Sequence, residues 1–248
     1  MNKEVVLYIT HYFDEFIIHN LTKLKNELDP KKYDLYCMFN LLNKNYPSIE
    51  HIHALNGINI FYYTDSDIIE SLTSKYGNIV FNEWFRGPSI TYNNAMMPVM
   101  YFYYTHHNTY YRYWYFENDC YFNGNYNDFF DLMYNVNIDY IYPYNIEGCD
   151  DFKDTINIEN LDLLRSYNAL FGLTQNALNV LNEYYKQGVH GHYEWVLPTL
   201  LCNNNLISTL TLKELNAVNE NTFHISSDSY SVHELNIRNI FYHPVKKL

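Results

Sequence analysis

What this chain has little of narrows its class before any motif is read. It holds 8 glycines and 7 prolines in 248 residues, against 28 tyrosines and 15 phenylalanines. A chain so poor in breakers and so rich in large rings can bury a sizeable core, which excludes a disordered or fibrous polypeptide. Cations are scarce too, with 16 Lys and Arg against 28 Asp and Glu and a formal charge of −12. Binding a phosphate backbone depends on clustered cations that release counterions. Here Lys23 to Lys32 is mixed with acids and Lys246-Lys247 is only a pair, so no nucleic-acid partner is expected.

Cysteine is limited to Cys37, Cys120, Cys149 and Cys202, with no CxxC pair, so neither a zinc knuckle nor a disulfide framework is signalled and buried thiols are expected. No apolar run approaches the roughly 20 residues that span a bilayer. The Met1 end has no basic n-region or small-residue cleavage site, which makes cytoplasm the expected location. Repeats, low-complexity tracts and interdomain linkers are absent, and the length suits one α/β domain over 1–248.

Strand and helix patterns alternate along the chain. Val5 to Thr10 reads as a strand, and Glu15 to Leu28 as a helix with Phe16, Ile17, Leu21 and Leu24 on one side. Tyr33 to Phe39 and Ile58 to Tyr63 are further strands, and Asp65 or Ser66 is the expected cap of a helix through Leu72. A buried helix is expected over Tyr92 to Tyr104, a central strand over Tyr113 to Phe116, and a helix capped by Asn127. Asp139 to Tyr142 (strand), Thr174 to Gln187 (helix closed by Gly188) and a last helix near Glu194 complete the pattern. Such alternation points to a largely parallel sheet with helices on its faces. Asn82 to Thr91, Asn145 to Glu159 and Leu212 to Asn236 are left as candidate active-site loops.

The most informative stretch runs from Tyr113 to Gly124, where an apolar strand leads into Glu117 and Asp119. Spacing of i and i+2 on extended backbone puts two carboxylates on one face. At the carboxyl end of a central strand such a pair could hold a hard cation against a diphosphate, or be two solvated turn acids. The stretch resembles the metal motif of GT-A glycosyltransferases, and more narrowly the pattern W-x-x-E-x-D-x-x-x-x-G followed by an aromatic helix, with Trp114, Glu117, Asp119, Gly124 and Phe129-Phe130 in place. It departs from that pattern at Cys120 and at Asn125-Tyr126.

Two later segments are similar to the same enzymes. Gly191 to Thr199 resembles their acceptor-side segment, making Glu194 the implied general base, kept ionised by the start of a helix in which Pro198 falls in the first turn. Phe241 to Lys246 resembles the C-terminal segment that folds back over the diphosphate, which makes His243 a third metal ligand and Lys246 a phosphate contact. Thr10 and His11, after the first strand, fall where the resemblance places nucleotide contacts. Arg86 could pair with a phosphate or an acceptor acid.

The resemblance implies a GT-A-like three-layer α/β/α sandwich with a mixed, mostly parallel sheet. Its donor half would come from the first 120 residues. It also implies Mn²⁺ or Mg²⁺, a nucleotide-diphosphate sugar as donor, and a hexosyl or N-acetylhexosaminyl transfer to a hydroxyl of a glycan or other acceptor. Inversion is the expected outcome, with retention open. Two other classes fit the same carboxylates: a metal-dependent nucleotidyltransferase or nucleotide-sugar hydrolase, and a noncatalytic sugar-binding module. The pairs His51/His53 and His190/His192 could each face one side of a strand, and His190, His192 and Glu194 could suggest zinc, but with no fourth ligand and no HExxH helix they are read as surface histidines.

Overall fold

The computed structural model describes residues 3–42, 46–77, 94–106, 109–134, 136–147, 151, 153, 156–224 and 229–248. Strand β1 (Glu4–Thr10) is buried along its whole length. Val5, Leu7 and Ile9 enter one core while Val6 and Tyr8 enter the other, which explains a strand that is apolar without alternation. Around it stand β2 (Tyr33–Asn40), β3 (Asn59–Tyr63), β4 (Arg112–Glu117), β6 (Tyr140–Tyr142), β7 (Leu170–Thr174) and β8 (Thr209–Thr211). These form a seven-stranded sheet in the order β3-β2-β1-β4-β7-β6-β8. Among the described strands of this sheet, β7 alone runs antiparallel to its neighbours.

Helices cover both faces. On one side lie α3 (Asp65–Tyr76), α4 (Met96–Thr105), α6 (Gln175–Lys186) and α7 (Tyr193–Cys202), whose apolar residues meet Tyr113, Tyr115 and Phe171 of the sheet. On the other lie α1 (Glu15–Glu27) and α5 (Tyr126–Tyr134), which meet Trp114 and Phe116. The short α2 (Ile49–Ala54) buries nothing. This is an α/β/α sandwich with a mixed, mostly parallel sheet: the alternating pattern led one to expect the parallel sheet and its helices, and the GT-A resemblance implied the three layers.

Several local expectations are corrected. Thr64, not Asp65 or Ser66, caps α3, because its hydroxyl accepts from the Asp67 amide while the Asp67 carboxylate accepts from the Thr64 amide. Asn125 replaces Asn127 as the cap of α5, its side chain accepting from the Asn127 amide at 2.8 Å. His51 and His53 lie on α2 and not on a strand. Strand β7 has no counterpart in the sequence reading. It is five residues long, carries a central Gly172, and ends on Thr174, the residue that caps α6. Gly172 is required by packing, since a Cβ there would lie 2.9 Å from the Trp114 ring.

The segment from Asn82 to Thr91 lies outside the described residues, as does Cys149. Cys37 and Cys120 are buried and Cys202 half-buried, all three as free thiols. No helix among the described residues is long and apolar enough to cross a membrane.

Candidate functional site

Strand β4 delivers its acids at the carboxyl edge of the sheet. Glu117 ends the strand opposite Ile9 of β1, and the chain turns at once, the Cys120 amide donating to the Glu117 carbonyl at 3.1 Å. Asp119 therefore sits in a turn and not on extended backbone, so the turn brings the two carboxylates together rather than the i, i+2 alternation of a strand. Of the departures from the GT-A pattern, Cys120 and Tyr126 are core positions and Asn125 is exposed. Cys120 is fully buried, and the Tyr126 hydroxyl donates to Asn20 Oδ1 at 2.8 Å while accepting from the Phe122 amide.

The third corner comes from the far end of the sequence. Strand β10 (Phe241–Tyr242) pairs antiparallel with β5 (Tyr121–Phe122), and the Val245 amide of β11 (Val245–Lys247) donates to the Asp119 carbonyl at 2.8 Å. β11 also pairs with β9 (Tyr230–Ser231). Phe241, Tyr242 and Val245 are buried, so this segment is built into the fold. His243 is held between these pairings. Its Nδ1 lies 2.9 Å from the His224 carbonyl, which can only accept, so Nδ1 carries the proton and Nε2 faces the acids. Nε2 is 3.2 Å from Asp119 Oδ1 and 3.5 Å from Glu117 Oε2.

These three are the one group among the described residues in which three ligand atoms of His, Cys, Asp or Glu lie within 4.8 Å of one another. Asp119 Oδ1 is buried, and its one donor is the His243 ring nitrogen 3.2 Å away, in a contact outside good hydrogen-bond geometry. A buried carboxylate oxygen without a well-aligned donor is costly, and a cation would satisfy it. Two oxygens and one imidazole nitrogen suit Mn²⁺ or Mg²⁺ once water or phosphate completes the shell. Burial alone would lower the His243 pKa, but the Asp119 and Glu117 carboxylates outweigh it and raise it to about 10. Burial would raise the Asp119 pKa, and His243 and Lys246 turn it below the ordinary value. In the absence of a cation, a proton on His243 occupies the electrostatic niche.

Of the other expected contacts, Lys246 is exposed with Nζ 4.0 Å from Asp119 Oδ2. Thr10 is buried at the end of β1 and accepts from Asn118 Nδ2 at 3.4 Å, beside the acidic turn. His11 is exposed next to it, edge-on to Tyr12 at 4.9 Å. Arg86 lies outside the described residues.

Glu194 opens α7 as its second residue, and the ion it faces was not foreseen. Arg165 donates to Glu194 Oε2 from Nε at 3.2 Å and from Nη2 at 2.9 Å, both side chains being buried. Pro198 explains the pairing. It falls at the sixth residue of α7, beyond the first turn, and has no amide hydrogen to give the Glu194 carbonyl. The Ser166 amide takes that carbonyl instead, at 2.9 Å, while Thr199 Oγ1 binds the Leu164 amide at 2.9 Å. The segment carrying Arg165 is thereby docked along α7. The expectation that a helix-start position keeps Glu194 ionised is also amended, since burial pushes its pKa up, Arg165 pulls it back, and the balance is about 7.

Two tyrosines escaped notice as well. Tyr193 donates to Glu117 Oε1 at 2.9 Å and Tyr115 to the same oxygen at 3.3 Å. Tyr115 precedes Glu117 by two on β4, a signal the sequence did contain. His190 and His192 are buried and not on the surface as expected, and desolvation with the Arg165 charge lowers the His192 pKa to about 4, so it is neutral. His190 Nδ1 lies 3.0 Å from the Gly188 carbonyl.

Among solved structures, mouse xyloside xylosyltransferase 1 in its apo form is similar at a TM-score of 0.45 and 10% identity, over 85% of this chain and 84% of that one. Core-mannan synthase A of Aspergillus fumigatus, in a Mn/GDP form, is similar at a TM-score of 0.42 and 11% identity, over 75% of this chain and 63% of its own. The chain thus spans less than two thirds of the second. No protein-family model and no curated protein matches this chain. At such identities neither likeness assigns a role to any residue of the site.

Proposed function

We propose that this protein is a glycosyltransferase that moves a sugar, a hexosyl or N-acetylhexosaminyl group, from a nucleotide diphosphate to a hydroxyl of a glycan or other acceptor, with inversion. The observation that carries the reading is the convergence of Glu117, Asp119 and His243, with Asp119 Oδ1 buried against the histidine, at the carboxyl edge where open α/β sheets take ligands. Glu117, Asp119 and His243 would hold Mn²⁺ or Mg²⁺, which when bound neutralises a departing diphosphate. Lys246 adds a positive charge on the same side, and Thr10 and His11 border the donor half; Arg86 keeps only its expected phosphate role.

Glu194 is the base in this reading. Both guanidinium contacts fall on Oε2, which leaves Oε1 to take the acceptor proton. A carboxylate titrating near 7 is matched to that task at neutral pH, because it is available as a base yet basic enough to drive the transfer. The hydroxyl oxygen, on losing its proton, attacks the anomeric carbon from the face opposite the diphosphate. Arg165 holds the carboxylate in place and balances its charge.

Glu194→Gln tests the assignment, since it keeps size and removes basicity. Transfer should fall by about 10²–10⁴ with donor affinity nearly unchanged. Turnover is measured per folded molecule after circular dichroism. Near-normal transfer would refute the base assignment, and donor cleavage indifferent to acceptor would favour a nucleotide-sugar hydrolase.

A further inference from the structure

We infer that Tyr193 is a positioning residue for the cation: its hydroxyl pins Glu117 Oε1, so that Glu117 binds metal through Oε2 alone. The inference rests on reading Glu117, Asp119 and His243 as a metal site. An ionised carboxylate has only acceptors, so the phenol is the donor in the 2.9 Å contact between Tyr193 and Oε1. Tyr115 supplies a second, longer contact of 3.3 Å to the same oxygen. Oε1 is thereby committed twice, while Oε2 faces His243 Nε2 at 3.5 Å.

The two donors are themselves fixed. Tyr115 lies flat against Phe171, with ring centroids 4.7 Å apart and planes 8° from parallel. Tyr193 is 6% exposed, and its carbonyl accepts from the buried Asn168 side chain at 3.2 Å. Glu117 is the looser partner, its side chain 28% exposed at the end of a strand. Without the Tyr193 hydroxyl it could rotate away or chelate through both oxygens, and either change would alter how much of the cation's shell is open to phosphate. Tyr193 immediately precedes Glu194 on α7, so the donor-side metal ligand and the acceptor-side base are positioned by one helix end.

The test is Mn²⁺ binding followed by electron paramagnetic resonance, with the metal alone and then with UDP or GDP added, on the intact chain and on Tyr193→Phe and Tyr115→Phe. Loss of an outer hydrogen bond to a ligand typically costs 10–100-fold in metal affinity. Tyr193→Phe should show a loss in that range and a changed Mn²⁺ spectrum, with the metal-free melting temperature little altered; Tyr115→Phe should lose less. A Tyr193→Phe protein that binds Mn²⁺ like the parent, with the parent's spectrum, overturns the inference and leaves the metal site standing. If the parent chain binds no Mn²⁺ under any of these conditions, the metal site itself is wrong and the inference falls with it.

Discussion

At the amino end of β4, Arg112 and Glu4 are both fully buried, with Arg112 Nη1 3.1 Å from Glu4 Oε1. The guanidinium also donates to the carbonyls of Met133, Val136 and Ile138, and Trp114 Nε1 takes the other Glu4 oxygen at 2.8 Å. At the carboxyl end of the same strand, two carboxylates and one histidine converge. The first cluster is balanced in charge and bonded on both carboxylate oxygens, with Arg112 Nε its one polar atom left over. The second carries one acid too many for its one histidine. The contrast separates charge that completes a fold from charge that awaits a ligand. Trp114, which the family pattern ties to the metal motif, belongs to the closed end.

Substitution at each end should break the comparison in opposite ways. Asp119→Asn should abolish the metal-dependent part of nucleoside diphosphate binding in calorimetry while leaving the fold intact; unchanged metal-assisted binding would sink the site. Arg112→Met should cost about 3–5 kcal/mol in chemical denaturation, because it leaves Glu4 as a buried charge without its partner. Nucleotide binding by its folded fraction should persist. Adding Glu4→Gln to Arg112→Met should recover part of the stability, and no recovery would mean that the pair is not the source of the loss.

A smaller effect sharpens the contrast through pH. The His243 pKa is raised to about 10 in the metal-free fold, above its ordinary 6.5, so its cation stabilises that fold fully below about 6.5 and the contribution is lost as pH rises through about 10. Mn²⁺ must displace the same proton, so its affinity should run the other way, rising by up to about tenfold per pH unit across the neutral range. A Mn²⁺ affinity flat between pH 6 and 8 would remove His243 from the ligand set.

Much of this architecture was legible in the sequence where a single element decides its own structure. β1, α1, β2 and α6 follow from apolar spacing and caps that act within a few residues. β7 was missed because its one unusual residue, Gly172, answers to Trp114 on the neighbouring strand. Glu117, Asp119 and His243 could be proposed from a chain pattern. Their convergence depends on a turn at Asn118 and on β10 pairing with β5, and no local signal encodes that pairing. Arg165 lay beyond reach for the same reason, being a lone cation in an unremarkable segment until α7 fixes its neighbour.

The missing amide of Pro198 has a consequence for how that neighbour is chosen. Four of the last carbonyls of any helix look outward because the helix has ended, but the Glu194 carbonyl does so near the start, by the exclusion of one hydrogen atom. It is an acceptor exported sideways, and Ser166 is its recipient. A residue with an amide at position 198 would bring two donors into competition for one carbonyl. The loser of that contest would be the backbone that carries Arg165, and with it the counter-charge of Glu194.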